Sequence, residues 1–180
     1  MVDGFESKIL TPQLLQEKLT TLPRPLVFTN GCFDILHRGH ATYLDSARAM
    51  GQSLLVAVNS DASVRRLGKG KERPINPLDD RMALLAALAS VSLVTWFEED
   101  TPLSCILMCR PDILVKGGDW AVSDISGANE VQGWGGQVLS IPFLYQRSTS
   151  QILKKIRHAE AHVASDATSA LAAPFYRAAE

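Results

Sequence analysis

Five short apolar runs, at 26–29, 53–58, 91–97, 113–115 and 137–141, alternate with segments of helical pattern, and this alternation most constrains the fold. Ser53-Leu54-Leu55-Val56-Ala57-Val58 is apolar almost throughout, which suits a strand covered on both faces. Helices are predicted from about His37 to Met50, Pro77 to Ser90 and Pro102 to Cys109, with a short one running to Leu67 and a last one from Ser148 through Ile156. Strands and helices in this order imply an α/β fold of one domain: a doubly wound parallel sheet with right-handed crossovers and helices on both faces. An accessory helix, N-capped by Thr11 with Pro12 at its first position, lies within residues 1–24. The domain itself covers 25–157, and an alanine-rich tail, helical or not, covers 158–180. In such sheets ligands bind outside the carboxyl ends of the strands. Asn30 to His40 follow the first strand, Asn59 to Asp61 the second, Lys116 to Asp119 the fourth and Arg147 to Ser150 the fifth, so four loops converge on one rim.

The stretch Gly31-Cys32-Phe33-Asp34-Ile35-Leu36-His37-Arg38-Gly39-His40 carries the clearest chemistry on that rim. Asn30-Gly31 stops the strand with residues that tolerate unusual backbone angles, and a helix follows. With that helix starting near His37, both imidazoles project from one side of its first turn. Free N–H groups and the positive end of the helix dipole make the turn an anion site, and Gly39 leaves room for a phosphate to approach the backbone. Thr29, Asn30, Gly31, Cys32 and Phe33 are accordingly candidates to contact a nucleotide, with Cys32 acting through its backbone rather than as a nucleophile.

Arg65, Arg66, Lys69, Lys71 and Arg73 place five cations in nine positions. Individually such residues read as a solvated loop; together, flanked by Gly68 and Gly70, they read as an arm that closes on polyphosphate, with Lys69 and Arg73 foremost. Lys116, Gly117 and Asp119 fit either a base or ribose contact or a plain glycine turn carrying an exposed acid. Ser148 and Thr149, at the start of the last helix, suit a phosphate contact, helix capping or both.

Composition narrows the classes. A net charge of −1 provides no global field for nucleic acid or an anionic membrane, so no nucleic-acid partner is expected and any anion site is local. The N-terminus lacks a signal-peptide pattern, no apolar run reaches a membrane span, and three cysteines fit a reducing compartment, so a cytoplasmic location is expected. Cys105 and Cys109 lack further metal ligands nearby and read as core thiols, and no metal-binding residues are assigned. P-loop, dinucleotide-binding and nucleophile-elbow motifs are all missing, which removes support for hydride and acyl transfer. A phosphate nucleophile is already ionised near neutral pH, so attack on a nucleotide α-phosphorus needs alignment and donors rather than a base or a covalent intermediate. Magnesium would be held mainly by the nucleotide phosphates.

Several motifs together resemble one family. They are Gly31-Cys32-Phe33-Asp34 with His37-Arg38-Gly39-His40, Asn59-Ser60-Asp61, Lys69-Gly70 before Arg73-Pro74, Asp80-Arg81, Glu99-Asp100-Thr101-Pro102, Pro111-Asp112 and Val115-Lys116-Gly117-Gly118-Asp119. As a set they are similar to the bacterial D-glycero-β-D-manno-heptose 1-phosphate adenylyltransferases, over roughly residues 25 to 157. The resemblance implies a Rossmann-like nucleotidyltransferase fold and transfer of AMP from ATP to a heptose 1-phosphate, giving ADP-heptose and pyrophosphate on the way to lipopolysaccharide core sugar. It implies His37, His40, Lys69 and Arg73 as catalytic groups and Asp34, Asn59, Asp61 and Arg81 as contacts to the sugar phosphate. It also implies a homodimer and, because many relatives are fused to a sugar kinase for which 180 residues leave no room, a separate kinase. Tyr145-Gln146-Arg147 departs from the family pattern. Two other functions stay open: a cytidylyltransferase acting on glycerol 3-phosphate or a related alcohol phosphate, and a nucleotide-sensing module without turnover.

Overall fold

A computed structural model describes residues 4–68, 70–145 and 147–159. The apolar runs form five parallel strands: β1 (Leu26–Gly31), β2 (Ser53–Asn59), β3 (Leu93–Phe97), β4 (Ile113–Gly117) and β5 (Gln137–Ile141). Their order across the sheet is β3-β2-β1-β4-β5. Val27 lies opposite Leu54 on one side and Ile113 on the other. The chain thus steps outward from β1 through β2 to β3, then returns to the far side of β1 to make β4 and β5. The gap between the carboxyl ends of β1 and β4 is therefore the topological switch point, where open α/β sheets bind ligands.

Both faces of the sheet are covered, as the unbroken apolar strands require. Val27, Leu54, Val56, Val58 and Val115 point to one face, where they meet α2 (Arg38–Arg48) and α4 (Leu78–Ala86) through Leu44, Ala47, Met82 and Leu85. Their neighbours Leu26, Phe28, Leu55, Ala57 and Leu114 point to the other, against α1 (Pro12–Lys18), α5 (Leu103–Cys109) and α6 (Ala128–Gly133). This alternation is the two-residue period of a strand, here with both sets apolar.

Local chemistry sets the helix starts. Thr11 Oγ1 accepts the Leu14 N–H at 3.2 Å, with Pro12 in the first turn of α1. Ser60 caps α3 (Asp61–Arg66) by accepting the Ser63 N–H at 3.1 Å. The stops are earlier than expected: α2 ends at Arg48 rather than Met50, and α4 at Ala86 rather than Ser90. Helix α6 is an addition to the sequence reading. At six residues, opened by Gly127 at φ 86° and closed by Gly133, it is too short to show a helical period.

Residues 1–146 form one compact unit, and the chain from 147 belongs to a second. In that second unit residues 149–159 are helical, and nearly all of the 158–180 tail lies outside the described residues. No helix among the described residues is long and apolar enough to cross a membrane.

Candidate active site

The turn after β1 enters α2 through His37, whose extended backbone (φ −144°, ψ 170°) makes it the N-cap. Its Nδ1 accepts the His40 N–H at 3.3 Å. That bond assigns the proton of the neutral ring to Nε2, so His37 offers an N–H donor on its outer side. The His40 ring stacks on the His37 ring, with centroids 3.8 Å apart and planes 15° apart. Gly39 relieves crowding in this packing: a Cβ there would lie 3.1 Å from His37 ring atoms and 3.1 Å from the Tyr145 carbonyl oxygen, so these neighbours would have to give way slightly. The glycine thus makes room for the His37 ring itself, where the sequence suggested room for a phosphate.

Burial lowers the pKa of both imidazoles. For His40 the value falls to about 4, through burial first and then the charge of a protonated His37, against a smaller opposing effect of the Ile35 backbone. For His37 burial again dominates over its own backbone contribution. His40 is therefore neutral at physiological pH and able to hydrogen-bond without being paired as a cation.

Above this turn a cavity of about 470 Å³ spans the carboxyl ends of the strands. Asn30, Gly31, Cys32, Phe33 and His40 line it at β1, Asn59 at β2, and Lys116 and Gly117 at β4. These are sequence-predicted residues brought together by the switch point. Lys116 Nζ donates to Asn30 Oδ1 at 3.1 Å, which fixes a cation between β1 and β4, and lies 6.0 Å from the Trp120 ring centre. Asn59 Nδ2 donates to Ser63 Oγ at 3.0 Å.

Other candidates have different places. Asp34 and Arg81, expected at the sugar phosphate, are 1% and 0% exposed, are not among the residues that line the cavity, and have their charges engaged inside the protein. Asp34 accepts the N–H groups of Ile75 and Asn76 at 2.8 and 2.9 Å and pairs with Arg73 Nε. Arg81 donates to the Cys32 carbonyl at 2.7 Å, the Asn76 carbonyl at 3.1 Å and Asp61 Oδ1 at 2.7 Å. Two buried charges thus tie the β1 turn, the segment before α4 and the start of α3 together. Arg73, read as a mobile phosphate clamp, is 6% exposed and held in this knot, and Asp61 is the outer partner of Arg81. Lys69 lies outside the described residues.

Thr29 is fully buried, and its hydroxyl meets Tyr43 Oη at 2.5 Å. Asp119 is exposed and is not among the residues that line the cavity. In the second unit Ser148 Oγ accepts the Gln151 N–H at 3.2 Å, so Ser148 caps the helix that contains Thr149.

Sequence reasoning missed the aromatic side of the cavity. Tyr43, one turn after His40 on α2, and Phe143, after β5, line it with their rings edge to face at 5.7 Å. Burial pushes the Tyr43 pKa up, so the hydroxyl stays protonated. Its i+3 spacing from His40 was the available signal. Trp120 adds a half-exposed ring, and Asp100, Thr101 and Asp124 bring polar groups from the loops after β3 and β4.

The model of the family described as cytidylyltransferase-like matches residues 28–160. The chain belongs to the cytidylyltransferase-like family. It is 56% identical over 155 residues to the D-beta-D-heptose 1-phosphate adenylyltransferase of Bordetella bronchiseptica, covering 85% of this chain and 96% of that protein. It is also 56% identical over 132 residues to the bifunctional protein HldE of Hahella chejuensis, covering 73% of this chain but 28% of that longer one. These identities bear out the resemblance read from the motifs. Among solved structures, the lipopolysaccharide core biosynthesis protein of Thermoplasma volcanium aligns with a TM-score of 0.55 and 28% identity, over 68% of this chain and 98% of that one. A pantoate-beta-alanine ligase from Francisella tularensis aligns with a TM-score of 0.56 at 15% identity, over 79% of this chain and 68% of that one, a likeness of fold. The doubly wound α/β architecture of this family member is thus that expected from its sequence.

Proposed function

We propose that the protein is an adenylyltransferase that moves AMP from ATP to D-glycero-β-D-manno-heptose 1-phosphate, releasing pyrophosphate and ADP-heptose, a precursor of lipopolysaccharide core sugar. The observation that carries this reading is the stacked pair His37 and His40 opening α2 beneath the switch-point cavity, in a chain 56% identical to a heptose 1-phosphate adenylyltransferase over nearly that protein's whole length. A sugar phosphate oxygen forms a bond to the α-phosphorus of ATP while the bond from that phosphorus to the β-bridging oxygen breaks, and the leaving electron pair departs with pyrophosphate. No proton has to be removed from the attacking phosphate, so the protein's task is alignment and charge stabilisation.

The residues present suit that task. His37 presents its Nε2–H and His40 a neutral, half-buried imidazole at the N-terminus of α2, where the helix dipole favours anionic oxygens. Lys116, anchored by Asn30 on the neighbouring strand, supplies a fixed positive charge between β1 and β4. The aromatic side formed by Trp120, Tyr43 and Phe143 suits a purine, and the polar side at Asn59, Asp100 and Thr101 suits a polyhydroxylated acceptor. On this reading ATP enters as its magnesium complex, a substrate whose phosphates carry the ion.

On the same reading the enzyme works in the cytoplasm as a homodimer, and a separate sugar kinase supplies its heptose 1-phosphate. A pyrophosphate-release assay crossing ATP and CTP with heptose 1-phosphate, other sugar 1-phosphates and glycerol 3-phosphate tests the assignment. Release is expected with ATP and the heptose 1-phosphate. Release with CTP alone would reject adenylyl transfer, and ATP binding without release under any pairing would make the chain a sensor.

A further inference from the structure

His40 is flanked by two rings: His37 is stacked on one side and Phe33 meets it edge-on, with centroids 5.2 Å apart and planes 63° apart. Its buried Nδ1 has no side-chain partner, and the Ile35 backbone is the polar group that acts on the imidazole.

Phe33 is itself fixed at a backbone angle that L-residues rarely adopt, φ +46°. The peptides on both sides of it are tied down. Arg81 grips the Cys32 carbonyl before it, and the Asp34 carboxylate after it is bound by Ile75, Asn76 and Arg73. Gly31 completes the arrangement, because a Cβ there would lie 3.0 Å from the Phe33 ring. The buried charges that the sequence assigned to substrate are therefore employed in pinning this one residue.

We propose that Phe33 is a positioning residue of the transfer reaction, its ring being the wall that, together with the Ile35 backbone, aims the His40 imidazole into the cavity. The proposal rests on the adenylyl-transfer reading for its kinetic consequence and on geometry alone for its effect on the ring. The wall also keeps water from His40, in keeping with burial as the leading cause of its lowered pKa. The titratable or charged groups that share the cavity with His40 are Tyr43 on α2, Cys32 in the β1 turn, Lys116 on β4 and Asp100 and Asp124 in loops, with His37 stacked alongside. Of these His37 is the one that contributes to the His40 shift.

Phe33→Ala and Phe33→Leu test this by NMR titration of the His40 Cε1–H signal in the full chain, paired with kcat and KM for ATP. For Phe33→Ala the His40 midpoint should rise from about 4 by roughly one pH unit or more toward 6.5. Its kcat should fall about tenfold or more with KM within about twofold, the pattern of a lost transition-state contact. Phe33→Leu keeps apolar cover and should show smaller changes of both kinds. A folded Phe33→Ala protein with an unmoved His40 midpoint overturns the proposal, as does an unchanged kcat in an enzyme shown to turn over. Should Phe33→Ala fail to fold, Phe33→Leu decides: a raised midpoint supports the proposal and a wild-type midpoint overturns it. The titration needs no substrate, so failure of the adenylyl assignment and failure of this proposal remain distinguishable.

Discussion

Replacing Arg81 by Met should be among the most damaging single changes in the protein, although Arg81 does not line the cavity. The guanidinium is fully buried and donates to the Cys32 carbonyl, the Asn76 carbonyl and Asp61. Met fills much of the same volume but donates nothing, so two carbonyls lose their charged donor and Asp61 loses its partner. An uncompensated buried polar group costs about 1–3 kcal/mol. Asp61 is 29% exposed at its side chain and recovers part of its loss by hydration. The three losses share one network and do not add in full, which gives about 3–5 kcal/mol, the range found when one partner of a buried ion pair is removed. For a chain of this size that corresponds to a fall in Tm of about 10 °C. Urea and thermal melts followed by circular dichroism measure it directly. Arg81→Lys should recover only part of the loss, because one ammonium cannot reach three acceptors in the planar fork that Arg provides. A loss below about 1 kcal/mol for Arg81→Met would refute the reasoning, since it would mean that the three acceptors find other donors.

Two further outcomes follow from the histidine turn. The lowered His40 pKa means that, as pH falls from 6.5 towards about 4, the unfolded chain takes up a proton that the folded protein refuses. Stability is therefore full above 6.5 and falls through that window, by at most about 3 kcal/mol from this group. Urea melts across the window should show His40→Gln with a shallower pH dependence than wild type, and parallel curves would contradict the burial argument. Gly39→Ala should favour the helix by up to about 1 kcal/mol in propensity, yet its methyl carbon would lie 3.1 Å from both the His37 ring and the Tyr145 carbonyl oxygen. The expected result is a Tm within a few degrees of wild type with kcat lowered about tenfold; an unchanged kcat would show that the His37 position does not matter.

What was legible in the sequence was local. The β1 run and the helix start at His37 lie within a few residues of one another, and the structure keeps both; the strand, however, runs on through Asn30 and Gly31, which pair with Ala57 and Val58, and the left-handed turn residue is Phe33 rather than Asn30 or Gly31. The fold class was equally readable, because a run such as 53–58 with no polar alternation has few alternatives to a strand covered on both faces. Asp34 and Arg81, expected at the sugar phosphate, are instead buried and paired within the protein. A charged residue beside a ligand loop looks the same in sequence whether it faces the ligand or is buried to support the loop. Only pairing across the chain decides, here between Arg81 and Cys32, 49 positions apart. The aromatic side of the cavity was hidden likewise, since Tyr43 and Phe143 lie 100 positions apart and only the crossover to β4 and β5 brings them together. Helix α6 was too short and too glycine-flanked to announce itself.

The central claim is a single in-line transfer of the adenylyl group with no covalent enzyme intermediate, and the stereochemical course at phosphorus tests it most directly. Wild-type enzyme given heptose 1-phosphate and ATP carrying a chiral α-phosphorothioate should form the thio-analogue of ADP-heptose with inverted configuration at the α-phosphorus, read by phosphorus NMR. Retention would require two displacements and a covalent intermediate, and failure to form the sugar nucleotide with either ATP or its thio-analogue would remove the adenylyl assignment itself.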